Sequence, residues 1–266
     1  MGAVSADLAG PVDLTGTGLE LSISGSGSVA TVTLARPERR NAMTPGMWHG
    51  LARIGASITD AVRVVVVRGA GPSFCAGIDL RMFSAEGVPG EKPNPSPDDP
   101  AFDDSIAGFQ AGYTWLRDPA FVSIAAVQGH AIGGGFQLAL ACDLRVIADD
   151  AKFCMKEPAL GLVPDLTGTK PLVEIVGLPR AIELCLTART VDAAEAAELR
   201  LAELVVPRAD LDGAVNDLVA ALLSTDAAAA RATKALLAEA PGNTLEQQAA
   251  AERAAQAALL AARRAR

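Results

Sequence analysis

Residues 64–67 are four consecutive valines, flanked by Arg63 and Arg68. β-Branched side chains lose rotamer freedom in a helix and pack well on a pleated surface. An unbroken apolar run, without polar alternation, also needs cover on both faces, as in the middle of a parallel sheet. Parallel neighbours require crossover connections, most often helices. This segment therefore predicts an α/β chain. Residues 122–127 and 144–148 repeat the pattern, whereas 19–24 and 29–34 alternate and are joined by Gly25-Ser26-Gly27-Ser28, as in a hairpin. Gly25, Gly27 and Ala30 fit a loose GxGxxA, but a dinucleotide loop opens a helix and here a β-branched run follows. Thr44 before Pro45 marks a helix start, and that helix extends to about Thr59. Further helices are predicted over 102–117 and 136–142. From Leu172 onward the chain reads mostly helical, ending in Arg263, Arg264 and Arg266, whose charges suit the negative end of a helix.

Strands alternating with helices, followed by helices alone, predict an α/β core with a helical C-terminal part. Residues 1–18 are Gly-rich and aperiodic and read as a flexible N-terminus, 19–200 as the core, and 201–266 as the C-terminal helical region. Five prolines fall within 84–104, which reads as a mobile loop. The 23 basic and 31 acidic side chains leave a net charge of −8, which disfavours nucleic acid as a partner. A small anionic ligand needs only a local cluster of Lys and Arg. Cys75, Cys142, Cys154 and Cys185 are spaced by 67, 12 and 31 residues, so no CxxC pair exists, and the only histidines are His49 and His130. No metal site is expected. Buried thiols, no basic-then-apolar leader and no run long enough for a membrane span together predict a cytoplasmic protein without membrane contact.

Three segments carry candidate chemistry. Gly133-Gly134-Gly135 falls between a strand and a helix, where backbone N–H groups at a helix start can receive negative charge. Cys75-Ala76-Gly77-Ile78-Asp79 is a glycine turn after the valine strand. Exposed amides from these separate strand ends are able to form an oxyanion hole together. Glu157 and Asp165 lie eight residues apart in an otherwise apolar stretch, and burial would raise their pKa values into the range useful for proton transfer. His130 reads as a structural histidine bonded to the glycine turn, since no serine occupies a persuasive nucleophile position. Trp48, Trp115 and Tyr113 read as packing residues, and Cys142 and Cys154 as core.

In order along the chain stand Arg36-Pro37 with Asn41-Ala42-Met43, Phe74-Cys75-Ala76-Gly77-Ile78-Asp79-Leu80, Ala125 through Gly135, Cys142-Asp143-Leu144-Arg145 and Ala151-Lys152-Phe153. Together they resemble the crotonase superfamily, the enoyl-CoA hydratase/isomerase family, over about residues 19–260. The resemblance implies a spiral ββα superhelix core and a C-terminal helical trimerisation region, giving a homotrimer or a dimer of trimers. It implies an acyl-CoA thioester substrate, no cofactor beyond its coenzyme A moiety, and an enolate held by the amides of Ile78 and Gly134. Arg39, Arg40, Ala76 and Asp79 match positions that contact the nucleotide end of CoA.

Hydratases of this family carry two glutamates, and here the second matches Glu157 while the first position is Gln137. A glutamine can hydrogen-bond water but cannot exchange a proton with it. The Glu157/Asp165 pair is instead similar to the dienoyl-CoA isomerase branch, although that branch carries a further acid at 137. The favoured reaction is therefore double-bond isomerisation of an enoyl- or dienoyl-CoA, with Glu157 as principal base, Asp165 as second acid/base and Gln137 as positioning group. Phe74, Met82, Leu162 and Val163 are expected to wall the pocket. An enoyl-CoA hydratase with Gln137 in place of one glutamate is the alternative. A non-catalytic acyl-CoA binding protein is an alternative of another class.

Overall fold

The computed structural model describes residues 10, 12–84, 86–91 and 96–265. Most of the predicted flexible N-terminus, residues 1–9 and 11, lies outside the described residues, as do 85 and 92–95 of the predicted mobile loop and Arg266.

The chain opens with the predicted hairpin: β1 (Leu19–Ile23) runs antiparallel to β2 (Val29–Leu34). Helix α1 (Pro45–Ser57) follows, with the Thr44 hydroxyl accepting from Met47 N as the expected N-cap. The valine strand β3 (Val64–Gly69) pairs parallel with β2. Helix α2 (Phe102–Thr114) tightens into a 3-10 turn over Trp115–Arg117 and leads to β4 (Val122–Val127), parallel to β3. Next come β5 (His130–Ile132), α3 (Gly134–Ala141), β6 (Leu144–Ala148) and β7 (Lys152–Cys154). The remainder comprises α4 (Thr169–Val176), α5 (Leu178–Thr187), β8 (Val191–Asp192), α6 (Ala193–Glu198), β9 (Leu204–Val206), α7 (Leu211–Leu223), α8 (Ala227–Glu239) and α9 (Leu245–Arg264).

Two sheets result, a six-stranded one ordered β1-β2-β3-β4-β6-β9 and a three-stranded one ordered β5-β7-β8. Twice, from β4 to β5 and from β6 to β7, the chain leaves the large sheet, turns a corner and enters the small one. Between β4 and β5 that corner is Gly129, whose φ of +56° favours glycine and where an added Cβ would lie 2.2 Å from Pro72 O. The β3 valines divide as a strand covered on both faces must: Val65 and Val67 enter the main core, while Val64 and Val66 pack with Leu211 and Val215 of α7.

Sequence reading departs from the structure in four places. Helix α3 begins at Gly134, so Gly134 and Gly135 are in the helix and only Gly133 precedes it. Strand β5 before it is unpredicted, too short for periodicity to show. The region after Leu172 is not helix alone, since β8 and β9 are recruited by pairing with β7 and β6. The 84–104 segment is anchored around 88–91, because Val88 is buried and the Glu91 carboxylate accepts from Gly46 N at the start of α1, whereas residues 96–101 are exposed.

Helices α8 and α9 bury no residue in the single chain. Lys234 fastens α8 instead, donating to the carbonyls of Asp118 and Phe121 and to Asp143 Oδ2, each at 2.7 Å.

Candidate active site

The strand-like segment at Cys75 lies alongside β5: Cys75 N donates to His130 O at 2.8 Å and Ile132 N to Cys75 O at 2.9 Å. Continuing this parallel register carries Ile78 toward Gly134. Glycine is required on both sides of the approach. A Cβ on Gly77 (φ +92°) would stand 2.7 Å from Ile132 O, and one on Gly135 would stand 2.4 Å from Cys75 O. Met43 brackets Ile78 with two backbone bonds, Met43 N to Gly77 O at 2.7 Å and Asp79 N to Met43 O at 2.9 Å. Neither Ile78 N–H nor Gly134 N–H has an acceptor among the described residues. Gly134 opens α3, so its amide also carries the positive end of the helix dipole.

Glu157 sits at the head of a 3-10 turn spanning Glu157–Leu160 and is buried, 9% exposed. A Cβ on Gly133 would lie 3.0 Å from its Oε1, so the glycine triplet and the acid face one another. Gln137 Nε2 donates to Glu157 Oε1 at 2.7 Å. The orientation of that amide is fixed at its other end, where Gln137 Oε1 accepts from Leu166 N at 2.9 Å and Gly168 N at 3.1 Å. Among the described residues, Glu157 Oε2 is buried with no hydrogen-bond partner. Burial raises the Glu157 pKa above the ordinary carboxylate value, against the pull of the backbone at Glu157 and Lys156 and of the bond from Gln137, and the Asp165 charge adds a further upward push. Asp165 is exposed, yet partial desolvation by its surroundings raises its pKa as well.

The expected walls are only partly where the sequence placed them. Phe74 is fully buried in the core, and Met82 packs against that core half-buried. Leu162 and Val163 are exposed, Val163 at 73%, because the residues after Gly161 run along the surface. The side chains standing against Gly134 are Leu166, Tyr113 and Met43, at 3.3, 3.5 and 3.8 Å from where its Cβ would be. Sequence reasoning missed Leu166 and assigned Tyr113 to packing. No sequence signal marks either, since the contact joins segments far apart in the chain.

Of the residues matched to the nucleotide end of CoA, Arg39 and Arg40 are exposed and Ala76 is half-buried, its N–H donating to Arg40 O at 2.9 Å. Arg40 borders a cavity of about 350 Å³ together with His130, Lys152, Arg208 and Asp150. His130 Nδ1 is 3.1 Å from Ser73 Oγ, so its side chain contacts Ser73 rather than the glycine turn expected from the sequence. The Asp79 side chain is committed internally: Arg81 Nη2 and Arg36 Nη2 approach its Oδ2 at 2.6 and 3.1 Å. The Arg81 guanidinium, aided by Arg36, holds the Asp79 pKa far below the usual range. Among the described residues, no cluster of His, Cys, Asp and Glu could hold a metal ion, and no helix is long and apolar enough to cross a membrane.

A sequence profile described as Enoyl-CoA hydratase/isomerase matches residues 24–265. The chain belongs to the enoyl-CoA hydratase/isomerase family. This family member is 62% identical to a Thermobifida fusca YX protein solved in complex with CoA, with a TM-score of 0.90 over 94% of this chain and 95% of the other. It is 36% identical to the carnitinyl-CoA dehydratase of Proteus mirabilis over 74% of this chain and 72% of that one. It is 32% identical to the peroxisomal Δ(3,5)-Δ(2,4)-dienoyl-CoA isomerase of Arabidopsis thaliana over 83% of this chain and 81% of the other. The crotonase fold expected from the sequence is thereby established, with its C-terminal helical region.

Proposed function

We propose that this family member isomerises the double bond of an enoyl- or dienoyl-CoA thioester by proton transfer between Glu157 and Asp165. The observation that carries the reading is the locked amide of Gln137. Its carbonyl oxygen already receives two backbone N–H groups, so the side chain presents only N–H toward the site. Holding and activating a water between two acceptors, as hydration requires, leaves Glu157 without its partner. Removing a proton from carbon requires one carboxylate with a free, desolvated oxygen, and Glu157 Oε2 is that atom.

In this scheme the thioester oxygen lies against the amides of Ile78 and Gly134. Glu157 Oε2 takes a proton from the carbon α or γ to the carbonyl, and the electron pair moves onto the oxygen held by the two amides. The enolate collapses as a proton is delivered to the far end of the conjugated system, from Asp165 or from Glu157 itself. No proton is gained or lost overall. All groups needed are side chains and amides of this chain, with no cofactor beyond the CoA moiety of the substrate.

CoA itself, bound by the Thermobifida fusca relative, is assigned here to the exposed face of Arg39 and Arg40. The cationic cavity beside Arg40 supports a polyanionic end there. Asp79 contributes by holding the turn of Ile78 rather than by reaching the nucleotide. Helices α8 and α9, with Leu237, Leu245 and Leu260 exposed, are assigned to a trimer or dimer of trimers. Four free cysteines suit a reducing cytoplasm.

Hydration of a 2-enoyl-CoA is the second reading, favoured by relatives such as the Proteus carnitinyl-CoA dehydratase. A passive acyl-CoA binder would gain nothing from an unpartnered buried carboxylate, which costs stability. The test is product analysis by mass spectrometry in D₂O, offering a 2-enoyl-, a 3-enoyl- and a 3,5-dienoyl-CoA separately. A moved double bond carrying solvent deuterium, without gain of water, is the expected result. Rapid water addition to the 2-enoyl substrate would overturn the isomerase reading, and binding without turnover of any substrate would overturn both.

A further inference from the structure

Tyr113 is fully buried on α2, in a chain segment that neither oxyanion amide belongs to. Its hydroxyl is the meeting point of three groups. Trp48 Nε1 donates to it at 3.1 Å, so its own proton is directed elsewhere. It reaches Gly134 O at 3.1 Å and Met43 Sδ at 2.9 Å. Gly134 contributes one proposed oxyanion amide, and Met43 is the residue whose backbone brackets the other, Ile78. One hydroxyl therefore touches the carbonyl of the residue that gives one amide and the side chain of the residue whose backbone brackets the other. Burial first, and the nearby Cys75, Glu157 and Asp165 second, push its pKa well above the phenol range, so the hydroxyl stays a neutral donor.

We propose that Tyr113 is a positioning residue that sets the spacing of the Ile78 and Gly134 amides through its hydroxyl contacts with Met43 and Gly134. This rests on the oxyanion reading above. Geometry of that kind matters because charge develops only in the transition state, and donors displaced by a fraction of an ångström stabilise it less. Ground-state binding of the acyl-CoA, dominated by its nucleotide and pantetheine, is indifferent to the spacing.

The experiment compares the full-length wild type with Tyr113→Phe, using a non-reacting acyl-CoA labelled with ¹³C at the thioester carbonyl. In the wild type the carbonyl stretching frequency falls on binding. In Tyr113→Phe the shift shrinks, kcat falls about 10- to 100-fold, and affinity for the labelled ester stays within about threefold. Met43→Leu, which keeps the volume and removes the sulfur contact, shows the same direction with a loss of about three- to tenfold. It carries the test alone if the phenylalanine variant does not fold. A carbonyl shift and kcat unchanged in the folded variants overturn the role of Tyr113. A wild-type carbonyl with no shift overturns the oxyanion reading itself, which separates the two failures.

Discussion

Gln137 donates its side-chain N–H to Glu157 Oε1 at 2.7 Å, while two backbone amides hold its carbonyl oxygen from behind. The pair leaves Glu157 with one satisfied and one free oxygen, an asymmetric base rather than half of a symmetric water clamp. Whether the site moves a proton or adds water turns on this contact.

Replacing Gln137 by Glu puts a second carboxylate at hydrogen-bond distance from the first. Two such groups share a proton, and the pair then has an acid and a base available for water. Hydration of a 2-enoyl-CoA is expected to gain at least about tenfold over isomerisation. An unchanged product ratio by mass spectrometry, in a folded variant, would show that position 137 does not choose the reaction.

Glu157→Gln removes the proposed base while keeping the volume. Turnover should fall by about 10²–10⁴-fold. In the wild type the acidic limb of the kcat/KM profile should lie above the ordinary glutamate value of 4.5, because desolvation raises the Glu157 pKa and the base works only when ionised. A limb at or below that value would remove Glu157 from the role.

The same shift makes a stability prediction with a definite sign. Between the unfolded value of 4.5 and the raised folded value, the native state holds more protons than the unfolded state, so stability declines as pH rises through that window and then levels. Glu157→Gln should lack this decline, so its melting temperature relative to the wild type should rise as pH climbs above 4.5 and then level, by about 2–4 °C for each kcal/mol. A constant difference across the range would mean that Glu157 is not desolvated.

Gly133 has φ +50° and ψ −120°, a conformation reserved for glycine, and its missing Cβ faces Glu157 Oε1. Gly133→Ala should therefore destabilise the protein by about 1–3 kcal/mol. It should also lower kcat by about 100-fold by displacing the acid. Chemical denaturation and steady-state rates measure the two effects, and a variant with native turnover would contradict the geometry.

Asp79→Ala strips the shared carboxylate from Arg36 and Arg81 and the cap from the turn after Ile78. The loss at pH 7 should be about 1–3 kcal/mol. Because the Asp79 pKa is depressed in the folded state, its stabilisation is present above the unfolded carboxylate value and lost as pH falls, so variant and wild type should converge in strong acid. If Asp79 served mainly to bind the nucleotide, the variant would keep its stability and lose affinity for CoA.

The periodic parts of this chain were legible before any coordinates. The valine strand, the Gly25–Ser28 hairpin and the Thr44-Pro45 helix start all stand where local chemistry puts them. Strands β5, β7, β8 and β9 were not legible, since two or three residues carry no period and pair only because other strands offer an edge. Glycines at both turns of the site are visible in the sequence. What they approach was not readable, because Gly77, Gly133 and Gly135 meet Ile132, Glu157 and Cys75 across the turns of the spiral.

By itself, then, the sequence determined the fold class, the family motifs and the types of group present at the site: amides at glycine turns, one glutamate, one aspartate and a glutamine. Only the tertiary structure decided which oxygen of Glu157 is free, which way the Gln137 amide points, and that Tyr113 stands between Met43 and Gly134. The reason is physical. Residue identity sets what a side chain is able to donate or accept, whereas the partner it finds is fixed by contacts between segments brought together by burial, and those contacts leave no spacing in the chain.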